Sequence, residues 1–148
     1  MPSPPIRTAT LADAAEIARL SAQLGYPADA DVFAERLRRL LPSPVHDVLV
    51  ADDDADDARL RGFVGVERRL MIESGERVEI VGLVVDAGAR RGGIGRALVA
   101  AAEAWARAHG LDTVFLRSNV VRPEAHPFYE GLGYARVKTQ HAYAKRVA

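Results

Sequence analysis

The chain has 148 residues, 49% of them hydrophobic, enough for one domain over 1–148 that buries roughly 70% of its unfolded surface without disulfides or structural metal. Twenty basic side chains against twenty acidic ones leave no net charge, which argues against nucleic acid or an anionic membrane as the main partner. The absence of cysteine removes thiolate nucleophiles, Cys-based zinc sites and iron–sulfur clusters.

Met1 to Arg7 contains no signal-like apolar stretch, and no run approaches the roughly 20 apolar residues of a membrane span, so a cytoplasmic protein is expected. Thr10 followed by Leu11 to Leu24 reads as an N-cap and an amphipathic helix, with Leu11, Ala14, Ala15, Ile17, Ala18, Leu20 and Leu24 near the 3.6-residue spacing and Gly25 as its stop. Asp29 to Leu41 predicts a second helix, ended by Pro42 and Pro44. Val45 to Ala51 and Leu60 to Ile72 are β-type runs, joined by the acidic stretch Asp52 to Asp57, which reads as a solvated hairpin turn. Arg77 to Val85 is the most strand-like run, apolar on both faces as a central strand should be. Ile94 to His109 predicts a long helix whose stripe is Ile94, Ala97, Leu98, Ala101, Trp105 and Ala108, ended by Gly110. Thr113 to Arg117 reads as a strand, Glu124 to Leu132 as a short helix closed by Gly133, and Tyr134 to Arg146 as one or two more strands. The expected fold is a mixed α/β sheet, antiparallel strands first and then a parallel pair connected through the long helix.

Between the central strand and that helix stands Asp86-Ala-Gly-Ala-Arg90-Arg91-Gly92-Gly93-Ile94-Gly95-Arg96. Small residues let the main chain approach a ligand, N–H groups point into the concavity, and the helix dipole adds about half a positive charge, so the loop reads as an anion site. Arg90, Arg91 and Arg96 add cations. A dinucleotide fingerprint would need Gly or Ala at 98, where Leu stands, and a P-loop would need Lys-Ser/Thr where Arg96-Ala97 follow. A tight strand-to-helix turn without a ligand is the remaining alternative.

This loop resembles the pyrophosphate-binding motif of the GCN5-related N-acetyltransferase (GNAT) family, Arg/Gln-x-x-Gly-x-Gly/Ala, in Arg90-Arg-Gly-Gly93-Ile-Gly95. A second segment agrees: Ser118-Asn119, then Ala125-His126-Pro-Phe128-Tyr129-Glu130-Gly131-Leu132-Gly133-Tyr134. The stretch from Ser118 to Tyr129 is also similar to aminoalkylphosphonate N-acetyltransferases. The resemblance implies an acyl-CoA N-acyltransferase fold with a splayed parallel pair, acetyl-CoA as cosubstrate, and a primary amine as acceptor, a small-molecule amine before a protein amine. Pro127 departs from the family pattern and requires the helix to begin near Glu124 or Ala125.

Each chemical task has a candidate. An alkyl ammonium with a pKa near 10.4 is only about one part in a thousand free base at pH 7, so a base is useful. Glu79, inside the otherwise apolar Val78-Glu79-Ile80-Val81, matches the family position of a base acting through water; pairing with Arg68, Arg69 or Arg117 is the alternative. Tyr129 is the candidate acid, although transfer from an unperturbed phenol to a thiolate is uphill by roughly 2 kcal/mol; a core aromatic is the alternative. Backbone groups of Gly82, Leu83, Val84 and Val85 are implied to hold pantetheine and the carbonyl oxygen beside a bulge. The resemblance implies that Gly92, Gly93, Ile94, Gly95 and Arg96 with Arg90 and Arg91 face the pyrophosphate, and that Asn119 bonds the coenzyme, a turn cap being the alternative. His126 is read as a capping residue, and His46, His109 and His141 lack metal-ligand spacing, so no metal is expected.

Tyr26-Pro27, Arg68 to Glu76 and the last strands are the expected acceptor walls, where an arginine would favour an acidic or phosphonate-bearing amine. Expected partners are a small-molecule amine and, as a homodimer, a second copy of the chain, with neither nucleic acid nor membrane. Without a thiol to carry the acetyl group, direct attack of the amine in a ternary complex is favoured. A non-catalytic acyl-CoA-binding regulatory module and a nucleotide-binding domain are the competing classes.

Overall fold

The computed structural model describes residues 4–90, 92–118 and 125–148. They form two compact units, one ending at Arg117 and one beginning at Ser118.

The first unit is a five-stranded mixed sheet in the order β1-β2-β3-β4-β5. Its strands are β1 (Ile6–Thr8), β2 (His46–Asp52), β3 (Leu60–Met71), β4 (Gly75–Val85) and β5 (Val114–Leu116). Neighbours are antiparallel from β1 to β4, and β4 and β5 are parallel. The helices are α1 (Ala14–Gln23), α2 (Ala30–Leu40) and α3 (Ile94–Ala108), which connects the parallel strands.

Helix α1 begins one turn later than its sequence suggests, because Leu11–Asp13 forms a tight 3-10 turn. Asp13 is drawn there by Arg7, at 2.9 Å, and accepts the Thr10 N–H at 2.8 Å, satisfying a helix-start donor that would otherwise be orphaned. Ile17 and Leu20 of α1 and Phe33 and Leu37 of α2 then pack with Val48, Val50, Leu60 and Val84 on one face of the sheet. Each fully buried aliphatic side chain there contributes about 1.5–3 kcal/mol.

The opposite face receives α3. Its buried stripe is Ile94, Ala97, Leu98, Val99, Ala102 and Ala106, rotated from the expected one so that Ala101, Trp105 and Ala108 lie outside it. Trp105 instead stacks against the His109 ring at 4.2 Å between centroids. Gly62 on β3 permits the close approach: a methyl group there would lie 2.6 Å from the Val84 carbonyl oxygen and 3.0 Å from Leu98 Cδ1.

Strand β4 carries one extra residue. Gly65 pairs with Gly82 and Val66 with Ile80, so Val81 has no counterpart on β3. Such a bulge reverses the alternation of side chains. Before it, Val78 and Ile80 share the α3 face with Val66; after it, Val84 has crossed to the α1–α2 core beside Phe63.

The second unit contains α4 (Ala125–Gly131), with Pro127 in the first turn, where a missing N–H costs nothing, and Gly133 at φ 95° after its end. Glu124 lies outside the described residues. The strands expected in Tyr134 to Arg146 do not form: from 135 to 148 the backbone has no regular structure and the side chains are exposed. Val137 and Tyr143 have the residue type for strands, but a strand is stabilised by ladder partners and a buried face, and this stretch has no buried face. Among the described residues no helix is long and apolar enough to cross a membrane.

Candidate active site

Strand β4 leads directly into the glycine-rich loop. After Val85, Asp86 opens a 3-10 turn over Ala87–Ala89 and accepts the Gly88 N–H on its carboxylate at 3.3 Å. Gly93 then caps α3 at φ 79°, a left-handed conformation that a side chain disfavours by about 1–2 kcal/mol. The first-turn N–H groups of Ile94, Gly95 and Arg96 have no intrahelical acceptor by geometry, and the N-cap Gly93 has no side chain to cap α3. Ile94 is buried and anchors the turn, while Arg90 and Arg96 are exposed beside it. Arg91 lies outside the described residues. This is the arrangement an anionic pyrophosphate requires.

The loop is braced from α1. Gln23 donates to Asp86 at 3.2 Å and accepts the Ala87 N–H at 2.9 Å, and Arg19 donates to Asp86 at 3.2 Å. Burial disfavours the Asp86 carboxylate, but the bonds from Gln23, Gly88 and Arg19 outweigh it and hold its pKa below the ordinary value. Arg61, whose backbone carbonyl accepts the Asp86 N–H, brings its guanidinium to 3.3 Å from where a Gly92 side chain would begin. Sequence reading missed Arg19, Gln23 and Arg61, since only the fold brings them to the loop.

The parallel pairing runs Val78 with Val114, Glu79 with Phe115 and Ile80 with Leu116, and ends there, while β4 continues to Val85. Among the described residues, the edge of β4 facing away from β3 therefore has no ladder partner past Ile80. Leu83, Val84 and Val85 lie on this stretch, with alternate backbone groups directed to the open edge. The bulge at Val81 marks its beginning.

Glu79 sits one residue before the last parallel pair and is 5% exposed. It shares the α1–α2 face with its cross-strand neighbours Glu67 and, one pair further, Arg69 and Arg77. Arg69 donates to both carboxylate oxygens at 3.3 and 3.2 Å, Arg117 donates to Oε2 at 2.6 Å, and Arg77 approaches to 3.6 Å. Arg77 and Arg117 both lie over the Phe115 ring, at 3.7 and 5.1 Å from its centroid. Of the arginines anticipated as partners, Arg68 is absent from this set, because alternation turns it to the other face, where it meets Glu76 at 3.3 Å. Arg77 was not anticipated.

Tyr129 belongs to the second unit. Its ring meets Phe128 edge-on at 5.1 Å and Tyr134 at 6.3 Å. Burial raises its phenol pKa above the ordinary 10, which keeps the proton on through neutral pH but widens the uphill gap for its transfer to a thiolate. His126 lies in the first turn of α4. Asn119 lies outside the described residues. Among the described residues no three His, Asp or Glu side chains gather as a cation site.

The chain is 35% identical over 136 residues to aminoglycoside N(6')-acetyltransferase type 1 of Stenotrophomonas maltophilia, a match covering 89% of this chain and 86% of that one. It is 38% identical over 74 residues to an uncharacterized N-acetyltransferase, YhdJ, of Bacillus subtilis (strain 168), spanning 50% of this chain and about half, 52%, of that protein. The fold matches the crystal structure of the aminoglycoside 6'-N-acetyltransferase AAC(6')-Ih from Acinetobacter baumannii with a TM-score of 0.82 at 19% identity, over 97% of this chain and 99% of that one. With the acetyltransferase (GNAT) family model matching residues 14–134, across both the glycine loop and α4, the chain belongs to the GNAT family and is an acetyl-CoA-dependent acetyltransferase.

Proposed function

We propose that the protein transfers an acetyl group from acetyl-CoA to the primary amine of a small molecule by direct attack in a ternary complex. The observation that carries this reading is the end of the parallel ladder at Ile80 and Leu116 directly upstream of a glycine-capped helix start. An extended thiol arm fits along the unpaired edge of Leu83 to Val85 while its phosphates meet the N–H groups of Gly92 to Arg96. Residues 1–148 then act as one cytoplasmic N-acetyltransferase domain, a reading supported by the family match running through both units. The aminoglycoside acetyltransferase relative supports a small-molecule acceptor before a protein amine.

In the reaction the amine nitrogen forms a bond to the thioester carbonyl carbon, the carbon–sulfur bond breaks, the proton shed by the attacking nitrogen passes to water, and the thiolate takes a proton from Tyr129, whose phenolate regains one from water. N–H groups on the open edge of β4 stabilise the oxygen that gains charge. Glu79 has its carboxylate committed to guanidinium donors, so its contacts favour ion pairing over proton abstraction. In this reading it is a positioning residue that holds Arg69, Arg77 and Arg117 at the mouth of the split.

A coenzyme binding titration followed by a thiol-release assay over a panel of amines tests the proposal. Thiol release that depends on an amine supports it. Coenzyme binding with no release for any amine identifies a non-catalytic acyl-CoA-binding module instead.

A further inference from the structure

The cations around Glu79 outnumber the acceptors they have. Arg69, Arg77 and Arg117 face Glu79, and Arg69 also approaches Glu67 at 3.6 Å, so three guanidinium groups meet two carboxylates. A guanidinium has five N–H donors. Among the described residues Arg69 uses one nitrogen in its hydrogen bonds, Arg117 uses one, and Arg77 makes none, its Nε being buried without an acceptor. Arg117 is half exposed and Arg69 is more than a third exposed, so their spare donors are within reach of a solute.

The location gives the surplus a function. Arg117 directly follows Leu116, the last residue paired with β4, and the cluster therefore lies at the mouth of the split, on the face opposite α3. The same face stays basic further out: Glu67 approaches His46 at 3.6 Å, and His46 lines a cavity of about 430 Å³ with Arg36 and Arg39, neither of which is ion-paired among the described residues. Glu79 offsets the mutual repulsion of the arginines, and the Phe115 ring face lies against two of them.

We propose that the acceptor is a small amine bearing an oxyanion, carboxylate or phosphonate, which docks on Arg69 and Arg117 and so presents its amino group to the thioester. This rests on the acetyltransferase reading above and adds the charge of the acceptor. Guanidinium forks bind such anions bidentately, whereas a polycationic amine meets repulsion on this face.

The test compares β-alanine and 2-aminoethylphosphonate with propylamine and kanamycin, by thiol release and by calorimetric binding, in the wild type, Arg117→Gln, Arg69→Gln and Arg117→Lys. We expect higher kcat/KM for the two anionic amines, with their advantage over propylamine falling roughly tenfold or more in each Gln variant, as loss of a charge-assisted bond implies, and partly kept by Arg117→Lys. The carboxylate and phosphonate arms show which oxyanion is preferred. Propylamine or kanamycin turning over as well as the anionic amines overturns the proposal, as does an advantage unchanged by both Gln variants. If no amine releases thiol, the acetyltransferase reading fails, and calorimetry still decides: arginine-dependent binding of an anionic amine sustains the oxyanion site, and its absence overturns it.

Discussion

Arg117 brings its Nη1 within 2.6 Å of Glu79 Oε2, tying the residue after β5 to β4 just before the two strands part. Among the described residues the one buried glutamate thus spends its charge on the sheet's own arginines. If Glu79 positions the arginines as proposed, Glu79→Gln should keep the alkaline rise in kcat/KM and should raise the acceptor KM about tenfold as the arginines lose their anchor. A pH–rate profile checks this; a flattened rise returns Glu79 to the role of general base.

Gly93→Glu should weaken coenzyme binding by at least roughly tenfold, through a positive φ of 79° that a side chain resists and a negative charge beside the helix start. Gly93→Ala separates the two effects, since it adds strain without charge. Coenzyme affinity unchanged in Gly93→Glu would remove the loop from the binding site.

Gln23 is bonded twice to the Asp86 turn, as donor to the carboxylate and acceptor of the Ala87 N–H. Gln23→Ala should cost about 1–2 kcal/mol of stability and raise the coenzyme Kd several-fold, because the turn that aims the loop loses its brace on α1. Equilibrium unfolding and a coenzyme titration read the two effects separately.

Tyr129→Phe should lower kcat by roughly a hundredfold while leaving coenzyme affinity near the wild-type value, as expected for loss of a proton donor. Burial raises this phenol's pKa, so the folded state favours the neutral form, and the associated stability is complete below pH 10 and declines as pH rises above it. Steady-state kinetics beside a binding titration decides the first point, and wild-type kcat in the Phe variant would end the assignment.

Acid should destabilise the first unit through its paired carboxylates. Two hydrogen bonds from Arg19 at 2.9 Å, aided by the Leu60 N–H and opposed by burial, hold Glu16 below its ordinary 4.5. Burial opposes ionised Asp13, but Arg7 and the Thr10 N–H hold it below 3.8. A lowered folded pKa means stability that is present above the unfolded value and lost as pH falls through the folded one. The Tm should therefore hold from pH 7 to about 5 and fall steeply below about 4, with a shallower acid limb in Glu16→Gln; equal slopes in both proteins would contradict it.

Much of the fold was legible because the strong signals were local. The strand ending at Val85, the helix starting at Ile94 and the glycine between them depend on neighbours in sequence, and they form as expected. The rest depended on distant partners. Gln23 and Asp86 are unremarkable alone, and only packing of α1 on the sheet brings them to 3.2 Å. The α3 stripe was rotated because alanines fit either face of a helix, so Ala102 and Ala106 were no easier to place than Ala101 and Ala108. In Tyr134 to Arg146 the residue types suit strands, but residue type supplies neither a ladder nor a buried face. Glu79 was found by its isolation in an apolar run, but its engagement by Arg69, Arg77 and Arg117 follows from register and alternation across three strands.

Val81 divides β4 into two stretches with independent duties. In the proposed reading, upstream Arg77 and Glu79 belong to the charged cluster that meets the amine, and downstream Leu83 to Val85 offer main-chain atoms whose chemistry is the same for almost any side chain. Exchanges among the charged residues can therefore retune what is acetylated while leaving the acetyl supply untouched. That separation is a structural route by which one scaffold acquires new substrates in small steps.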